Sequence, residues 1–466
     1  MYFRHRPPSA GPTSSLISAL LAALGFALAA HAAPGPKRID LPERPYVLSG
    51  INTPVFRRHA LLTVGDKQLI AYFTADGRLA LVQRSLETDR LERTLFWPDA
   101  LSPAMLGDGH QAINMGYTSD GYLHLFWGCH DTINPRYLKL RWPDLTECPT
   151  SEFPLHFVTA RLSYPQFYES AGGLLLSFRR DSRSDPANPY DHCLITYDVA
   201  QGKWGSLQAP WLVFPPIPQL AYLNSLGCDG RTIAGAYTFR RYDLMDTKDP
   251  RMLVMNDSLR FVWSDDAGKS WRDTAGRNLP LPLHVTDVPA DIPIAPDQNL
   301  INQGGGWLTA NREYHIGYFR NDASAVPQIY LSTLRLTDGK VTTTQITRRT
   351  EAFELRGRGT QVWPISRPAI CALGSTLWVI FREGDRLVAA HQSDGDVGWQ
   401  FTELYQGILG NYEPILDYTR LSAGVLSLYV QPAWQGADDR MHQGPEQGSA
   451  FLLEFTARDL LGRPTQ

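Results

Sequence analysis

Four side chains between residues 107 and 181 could together transfer protons and hold a carboxylate: His110, His130, Tyr164 and Arg180. A neutral histidine is a suitable base near neutral pH, and a tyrosine phenol is a suitable acid. Arginine stays charged and can donate two parallel hydrogen bonds to one carboxylate. Because a lone histidine often only packs or stabilises a turn, the hypothesis of an active site depends on all four residues.

Positions along predicted strands separate these residues from others of the same type. His110 lies in a glycine-flanked segment before a strand, and His130 lies just beyond the end of that strand, where a loop begins. Tyr164 and Arg180 lie at the starts or ends of later strands. His124 shares one face of its strand with aromatic residues, so period-two alternation predicts that it packs within the sheet.

The elements that position these side chains are predicted to be β-strands throughout. Short runs of β-branched and aromatic residues alternate with turns rich in Gly, Pro, Asn and Asp, without long stretches of helical periodicity. A unit of a turn, two strands and a polar turn near a tryptophan recurs, with starts roughly 50 to 80 residues apart. The units are 67–84, 121–142, 172–204, 230–271, 313–336, 376–399 and 424–455.

This repeat predicts an all-β fold, a seven-bladed β-propeller in a single domain. The alternative of two sandwich domains would need a linker near mid-chain, and no Ser/Gly/Pro-rich break occurs there. Because such a ring is usually closed by a strand from one terminus, segments 46–72 and 450–455 are expected to share blades.

One turn has a sharp local signature. Residues 264–271 fit the Asp-box pattern S-x-D-x-G-x-x-W, and a degenerate copy spans 393–399. In such a hairpin turn the aspartate caps backbone N–H groups, the glycine takes positive φ and the tryptophan packs beneath. Asp266 is therefore interpreted as structural and is assigned no chemistry.

The N-terminus has the pattern of an export signal. Arg4 and Arg6 precede an apolar run over 16–30 that ends in Ala-His-Ala, so cleavage is expected after Ala32. The run has about 15 residues, fewer than the roughly 20 that a membrane span needs. Residues 1–32 are predicted to be a signal peptide and 33–466 the propeller, secreted or periplasmic and monomeric.

Charge and cysteine content exclude some partners. The formal net charge of −3 offers no basic face for nucleic acid or an anionic membrane. Five cysteines without CxxC spacing favour isolated buried thiols, with a Cys129–Cys148 bridge as the alternative. No cofactor is expected to be required. A structural divalent cation could bind to His284, His315 and Cys228, although the spacing of these residues matches no metal motif.

Several segments in order carry a family resemblance. Residues 107–181, 256–257, 300–304, 366–368 and 413–414 resemble the BNR-repeat propeller family that includes ulvan lyases and rhamnosyl-glucuronate lyases. The resemblance extends roughly from residue 54 to residue 431. It implies a seven-bladed propeller, in agreement with the independent count of repeats.

The resemblance also implies roles for particular residues. The family pattern has a histidine in a D-x-H-N segment, a histidine after the next strand, a tyrosine before a proline, and an arginine after a further strand. His110, His130, Tyr164 and Arg180 match these places in order. One departure is Gln111, which replaces the usual asparagine and puts a supporting hydrogen bond or substrate contact in doubt.

The activity implied by the resemblance is β-elimination at a 4-O-linked glucuronate in an acidic polysaccharide, with a rhamnosyl-glucuronate linkage as in ulvan. Arg180 and His130 would neutralise the carboxylate, His110 would act as base and Tyr164 as acid. These last roles could be exchanged, and Tyr164 could serve as both base and acid if the two protons lie on the same face of the sugar. A cationic pocket would lower the pKa of Tyr164 and make a tyrosinate base more accessible. Further candidate substrate contacts are Arg240, Asn256, Tyr237 and Asn114.

Two other functions stay open from the sequence. A sialidase-like or rhamnosidase-type glycoside hydrolase could use the same scaffold, with Arg180, Arg241 and Arg367 as a possible arginine cluster. A carbohydrate-binding propeller without catalysis is the second alternative, because a fold alone does not define a function. Formation of an unsaturated uronate would distinguish elimination from both.

Overall fold

Seven antiparallel sheets, each built mainly from consecutive strands, form the molecule in a computed structural model. The structure describes residues 36–461 except 98, 134, 149–160, 182–189, 215–218, 245, 247, 250–254, 285, 357–362, 393–397 and 437–447. The predicted signal peptide over 1–32 and most of the degenerate Asp box over 393–399 lie outside the described residues. Each of the seven sequence repeats supplies strands of a different sheet, so the predicted seven-bladed propeller is confirmed.

The blades are numbered along the chain, and their strands are given from the centre outwards. Blade 1 contains Leu61–Val64, Lys67–Phe73, Leu79–Ser85 and Leu91–Trp97. Blade 2 contains Asn114–Thr118, Tyr122–Trp127, Arg136–Arg141 and Thr146–Glu147. Blade 3 contains Arg161–Ser170, Gly173–Asp181, Tyr190–Asp198, Lys203–Val213 and Leu283–His284. Blade 4 contains Gln219–Asp229, Thr232–Arg241, Asn256–Ser264, Trp271–Arg272 and Asn278–Leu279.

The last three blades complete the ring. Blade 5 contains Gly306–Leu308, Glu313–Asn321, Pro327–Arg335 and Lys340–Gln345. Blade 6 contains Ala369–Leu373, Thr376–Glu383, Arg386–Gln392 and Gln400–Gln406. Blade 7 contains Ile415–Leu416, Val425–Val430, Phe451–Thr456 and Lys37–Asp40. Within the described ranges, the helical segments are Pro103–Gly107, Tyr242–Leu244, Tyr418–Ala423 and Ala457–Leu461.

The ring is closed by an N-terminal strand, although not by the segment expected from the sequence. Lys37–Asp40 pairs antiparallel with Phe451–Thr456 as the outermost strand of blade 7. The expected segment 46–72 instead leads into blade 1, and its strands pair only within that blade. Four largely exposed residues lack the apolar alternation by which a strand is recognised, so Lys37–Asp40 left no signal in the sequence.

Apolar side chains of adjacent blades pack face to face. Leu69 and Leu81 of blade 1, for example, pack in one cluster with Met115 and Leu125 of blade 2. Innermost strands of successive blades contact one another around the centre. This packing holds the loops at the ends of the inner strands in fixed positions around a central channel.

The Asp box over 264–271 is the structural turn that the sequence predicts. Asp266 accepts hydrogen bonds from the hydroxyls of Ser264 and Ser270 and from the backbone N–H of Ser270. Gly268 has φ +87°, and Trp271 is fully buried beneath the turn. His124 is likewise buried as predicted.

All five cysteines are free thiols, and three of them are buried, so isolated thiols are confirmed and the Cys129–Cys148 bridge is not formed. Among the described helices, none has the length and apolarity to cross a membrane.

Candidate active site

One carboxylate holds two histidines together at one end of the channel. Asp108 follows the short helix Pro103–Gly107, whose first turn is capped by Ser102. Its Oδ1 lies 2.7 Å from Nδ1 of His110, and its Oδ2 lies 2.6 Å from Nδ1 of His130. A carboxylate only accepts hydrogen bonds, so both Nδ1 atoms carry protons. The two rings stack with centroids 4.5 Å apart.

A β-bulge brings Tyr164 to this pair. The register of strand Arg161–Ser170 shifts between Ser163 and Gln166, and Tyr164 has φ +57°. A non-glycine residue in this left-handed conformation is strained, and such residues concentrate at functional sites. The Tyr164 hydroxyl lies 3.3 Å from Nε2 of His130 and can donate to it.

Gln111 stands where the family pattern has asparagine, and its side chain nevertheless forms supporting hydrogen bonds within the cluster. Its Nε2 donates to Asp108 Oδ2 at 3.1 Å, and its Oε1 accepts from the backbone N–H of His130 at 3.1 Å. The buried amide therefore joins the segment before blade 2 to the loop that carries His130. Glutamine can support the cluster in place of asparagine.

Burial and the mutual contacts shift the pKa values in this cluster. Burial alone would raise the pKa of Asp108, but the two imidazoles hold that pKa well below its usual range. Burial lowers the pKa of His130, although Asp108 opposes this effect, so the ring is neutral at pH 7. Burial raises the pKa of Tyr164, and His110 and Arg179 only partly oppose it. The expectation that a cationic pocket would lower this pKa is therefore wrong.

Arg179, the neighbour of the predicted Arg180, is the arginine that contacts Tyr164. The two point to opposite faces of strand Gly173–Asp181, as period-two alternation requires. Arg179 lies with Cζ 4.7 Å from the centroid of the Tyr164 ring. Arg180 instead donates from Nε and Nη2 to Asp191, with the shortest distance 2.6 Å. The structure brings together His110, His130 and Tyr164, and it leaves Arg180 paired with an acid.

A second arginine extends the cationic border of the site into blade 4. Arg240 and Arg179 lie over the same ring, that of Tyr222, at 4.8 and 5.5 Å. Arg240 donates to the side-chain oxygens of Asn256 at 3.1 Å and Asn302 at 3.3 Å. Two of the predicted substrate contacts, Arg240 and Asn256, are therefore hydrogen-bonded to each other beside the cluster.

The other two predicted substrate contacts are buried. Tyr237 has no exposed surface and packs in the core against Phe239. Asn114 begins the innermost strand of blade 2 and is 1% exposed. Neither atom of its side-chain amide has a hydrogen-bond partner among the described residues. Both residues could reach a substrate only through a rearrangement of their surroundings.

The cluster also contains a set of possible metal ligands. Asp108, His110 and His130 offer donor atoms within 4.8 Å of one another, and they form the one such group in the described part of the chain. The residues guessed from the sequence, His284, His315 and Cys228, do not belong to it. An ion between these donors would replace the hydrogen bonds from the two imidazoles to Asp108.

The sequence of the chain can be compared with known families. The model of the BNR repeat-containing family matches residues 67–349, more than half of the 466 residues. The chain belongs to the BNR repeat-containing family. A comparison with curated proteins gives no match.

Solved structures resemble this member of the BNR repeat-containing family in fold. Polysaccharide lyase Uly1 is 15% identical with a TM-score of 0.61, over 90% of this chain and 99% of that one. An ulvan lyase of polysaccharide lyase family PL25, solved with -[GlcA(1-4)Rha3S]-, is 13% identical with a TM-score of 0.61. That alignment covers 92% of this chain and 100% of the lyase. At these identities the likeness establishes a shared fold.

Four residues of this BNR-repeat site were missed from the sequence: Asp108, Phe56, Arg179 and Tyr222. Asp108 could have been found, because it stands two residues before His110 in the same D-x-H segment. Phe56 stacks on His110 with centroids 5.8 Å apart, but it comes from the segment before blade 1. Its contact depends on closure of the ring and leaves no local signal.

Proposed function

We propose that the protein is a polysaccharide lyase that cleaves a 4-O-linked glucuronate, as in a rhamnosyl-glucuronate linkage, by β-elimination. The observation that carries the proposal is the sharing of Asp108 by two imidazoles that pack against the buried ring of Tyr164, with Nε2 of His130 3.3 Å from its hydroxyl. This arrangement supplies an imidazole as base and, at pH 7, a protonated phenol as acid. The fold shared with two polysaccharide lyases supports the same class of reaction.

In the proposed step, Nε2 of His110 removes the proton from C5 of the uronate. The electron pair forms the C4–C5 double bond while the C4–O4 bond breaks. Tyr164 gives its phenolic proton to O4, and His130, which accepts a hydrogen bond from that phenol, orients it. Return of the C5 proton from His110 to Tyr164 through solvent restores both groups. Phenol and imidazole both lie within the ranges that general acid–base catalysis uses.

The carboxylate of the uronate must be neutralised before its C5 proton becomes acidic enough to remove. We assign this task to Arg179, which lies over the Tyr164 ring, with Arg240 as a second cation because both arginines lie over the ring of Tyr222. Arg180 is less suited because Asp191 already accepts its hydrogen bonds. A guanidinium held in place before the reaction stabilises the enolate that forms during it.

The arginines that a sialidase-like mechanism would combine are each paired with an acid in a different part of the ring. Arg180 pairs with Asp191, and Arg367 pairs with Glu413 at 2.8 Å. Arg241 contacts both Asp243 and Asp257. Paired guanidiniums on blades 3 and 4 and before blade 6 favour elimination over that hydrolase mechanism.

The test is ultraviolet absorbance of the unsaturated uronate during action of the purified protein on glucuronate-containing polysaccharides. We expect absorbance to rise with ulvan-type substrates and to be lost in His110→Ala and Tyr164→Phe. Tyr405→Phe, on the outermost strand of blade 6, is the matched control that should retain the rise. New reducing ends without absorbance would indicate a hydrolase, and binding without either product would indicate a carbohydrate-binding propeller.

We also propose that the protein is exported, because residues 1–32 have the pattern of a signal peptide. A polymer substrate outside the cell requires the enzyme to leave the cytoplasm. Sequencing of the N-terminus of protein recovered from outside the cytoplasm should begin at Ala33. A mature chain beginning at Met1 would contradict it.

A further inference from the structure

A cavity of about 550 Å³ opens at the end of the channel opposite the Asp108 cluster. The innermost strand of blade 3 connects the two ends, with Tyr164 near its start and Tyr168 and Glu169 near its end. Four residues of extended strand separate the two tyrosines by roughly 13 Å. Cys228, at the end of the innermost strand of blade 4, also lines the cavity. Its volume lies within the range of small-molecule sites.

Aromatic rings form one wall of this cavity. Trp307 of blade 5 and Tyr418 of blade 7 stack with centroids 5.6 Å apart and planes 16° from parallel. Tyr168 of blade 3 contributes a third ring. Flat aromatic faces suit the C–H groups of a sugar ring, while polar groups at the edge can bind its hydroxyls.

A cation, Arg58, stands beside these rings, and its charge acts on one acid of the same cavity, Glu169. Arg58 has its Cζ 4.0 Å from the centroid of Tyr418 and 5.4 Å from that of Tyr168. One of its nitrogens donates to the Gly306 carbonyl at 3.1 Å, and its buried Nε has no hydrogen-bond partner among the described residues. No described carboxylate lies within salt-bridge distance of it. A half-buried guanidinium of this kind favours an anionic ligand.

A buried histidine adds polar atoms to the same cavity. His59 is 7% exposed, and neither ring nitrogen makes a hydrogen bond of ordinary geometry with the described residues. Burial, with the nearby charge of Arg58, lowers the pKa of His59 to about 3. One ring nitrogen interacts with the backbone of Phe167, which partly opposes the effect of burial, so the neutral ring offers its other nitrogen to a sugar hydroxyl.

We propose that this cavity binds a monosaccharide-sized sugar acid, with its carboxylate on Arg58 and its ring against Trp307 and Tyr418. The ring nitrogen of His59 that does not interact with Phe167 would form a hydrogen bond with a ring hydroxyl. Glu169 at the same cavity repels the carboxylate and limits the affinity. The site shares no residue with the Asp108 cluster, so it does not depend on the reaction proposed there.

The experiment is calorimetric titration of the full mature chain with sodium glucuronate, with glucose and inorganic sulfate as comparison probes. The titration is repeated in the double variant His110→Ala, Arg179→Met, which disables the opposite end of the channel. Glucuronate binding should persist in that variant and weaken at least tenfold in Arg58→Met. Glu169→Gln should strengthen it severalfold, because a repelling charge is removed while the side-chain shape is kept.

Thermal melting controls for folding, and the gain expected in Glu169→Gln cannot arise from misfolding. Equal binding of glucose would overturn the role of Arg58, and equal binding of sulfate would overturn the role of the aromatic wall. Trp307→Leu separates these contributions, because it should weaken glucuronate and leave sulfate unchanged. Absence of glucuronate binding at millimolar concentration, or binding lost only in the double variant, would overturn the proposed site.

Discussion

The two ends of the channel hold histidines in opposite ways. His110 and His130 share one carboxylate, Asp108, which orients Nδ1 of each ring toward itself. His59 at the other end has no such carboxylate, and burial lowers its pKa to about 3. A histidine without a partner acid can bind a neutral or anionic group but is poorly suited to hold a proton. The difference separates a site built for catalysis from one suited to binding.

The substitution Asp108→Asn tests this difference between the two ends of the channel and should have the largest effect. An amide cannot accept hydrogen bonds at both of its atoms, so one imidazole loses its fixed tautomer. We expect kcat to fall about 10³-fold, within the range of general acid–base contributions. Steady-state kinetics by unsaturated-uronate absorbance measure the loss, with Asp266→Asn in the distant Asp-box turn as the equally conservative control. A loss below tenfold would mean that Asp108 does not organise the site.

The neighbouring arginines provide the next largest effect. Arg179→Met should lower kcat/KM about 100-fold, because it removes the charge proposed to neutralise the substrate carboxylate. Arg180→Met should change kcat/KM much less, but it leaves Asp191 without its partner and should lower the free energy of unfolding. Parallel kinetics and urea unfolding of both variants decide between them. The reverse pattern would return the carboxylate-binding role to Arg180.

This pair of arginines also shows where inference from sequence stops. Alternation predicts that residues 179 and 180 point to opposite faces of a strand, but it does not indicate which face borders the site. That choice depends on register, and the neighbouring strand contains the bulge at Tyr164. The family pattern was matched by the order of its residues along the chain. Arg179 fits that order nearly as well as Arg180, because the two residues are adjacent.

Other features differ in how far they could be predicted. The seven repeats were visible because each blade carries its own turns and apolar strands. His110, His130 and Tyr164 were found because each stands near a strand end. The closing strand Lys37–Asp40 is short and exposed, and the cavity beside Arg58 combines residues of blades 1, 3, 4, 5 and 7. Contacts that arise only from closure of a ring have no local spacing in the sequence.

The pH dependence of activity tests the protonation states proposed for the Asp108 cluster. Burial lowers the pKa of His130 and raises that of Tyr164, so both are in the proposed working form at pH 7. We expect kcat/KM to be level near pH 7 and to fall up to tenfold per unit once pH drops below about 6.5. Initial rates between pH 5 and 9 test this. A rate that climbs steadily toward pH 9 would favour a tyrosinate base instead.

The pH dependence of stability tests the buried histidines. Burial lowers the pKa of His59, His124 and His192 to about 3 each, with Arg58, Lys139 and Arg179 as the respective nearby charges. Their stability contribution is present above the unfolded pKa and is lost as pH falls toward the folded pKa. Each should lower the free energy of unfolding by up to about 1.4 kcal/mol per pH unit below about 6.5.

Urea unfolding at pH 7 and pH 5 measures this loss, and His59→Gln provides the internal comparison. Glutamine does not titrate, so the variant should lose less stability between the two pH values than the parent protein. An equal loss would show that His59 takes up no proton on unfolding in this range. Glucuronate, if it occupies the cavity beside Arg58, should raise the stability of the parent at both pH values.

The smallest expected effect lies in the Asp box, far from both ends of the channel. Asp266→Ala removes hydrogen bonds to Ser264 and Ser270 and should cost about 1–2 kcal/mol of unfolding free energy. Because the turn only fixes the edge of blade 4, kcat and KM should stay within twofold of the parent values. Loss of activity without loss of stability would give this aspartate a role that its contacts do not support.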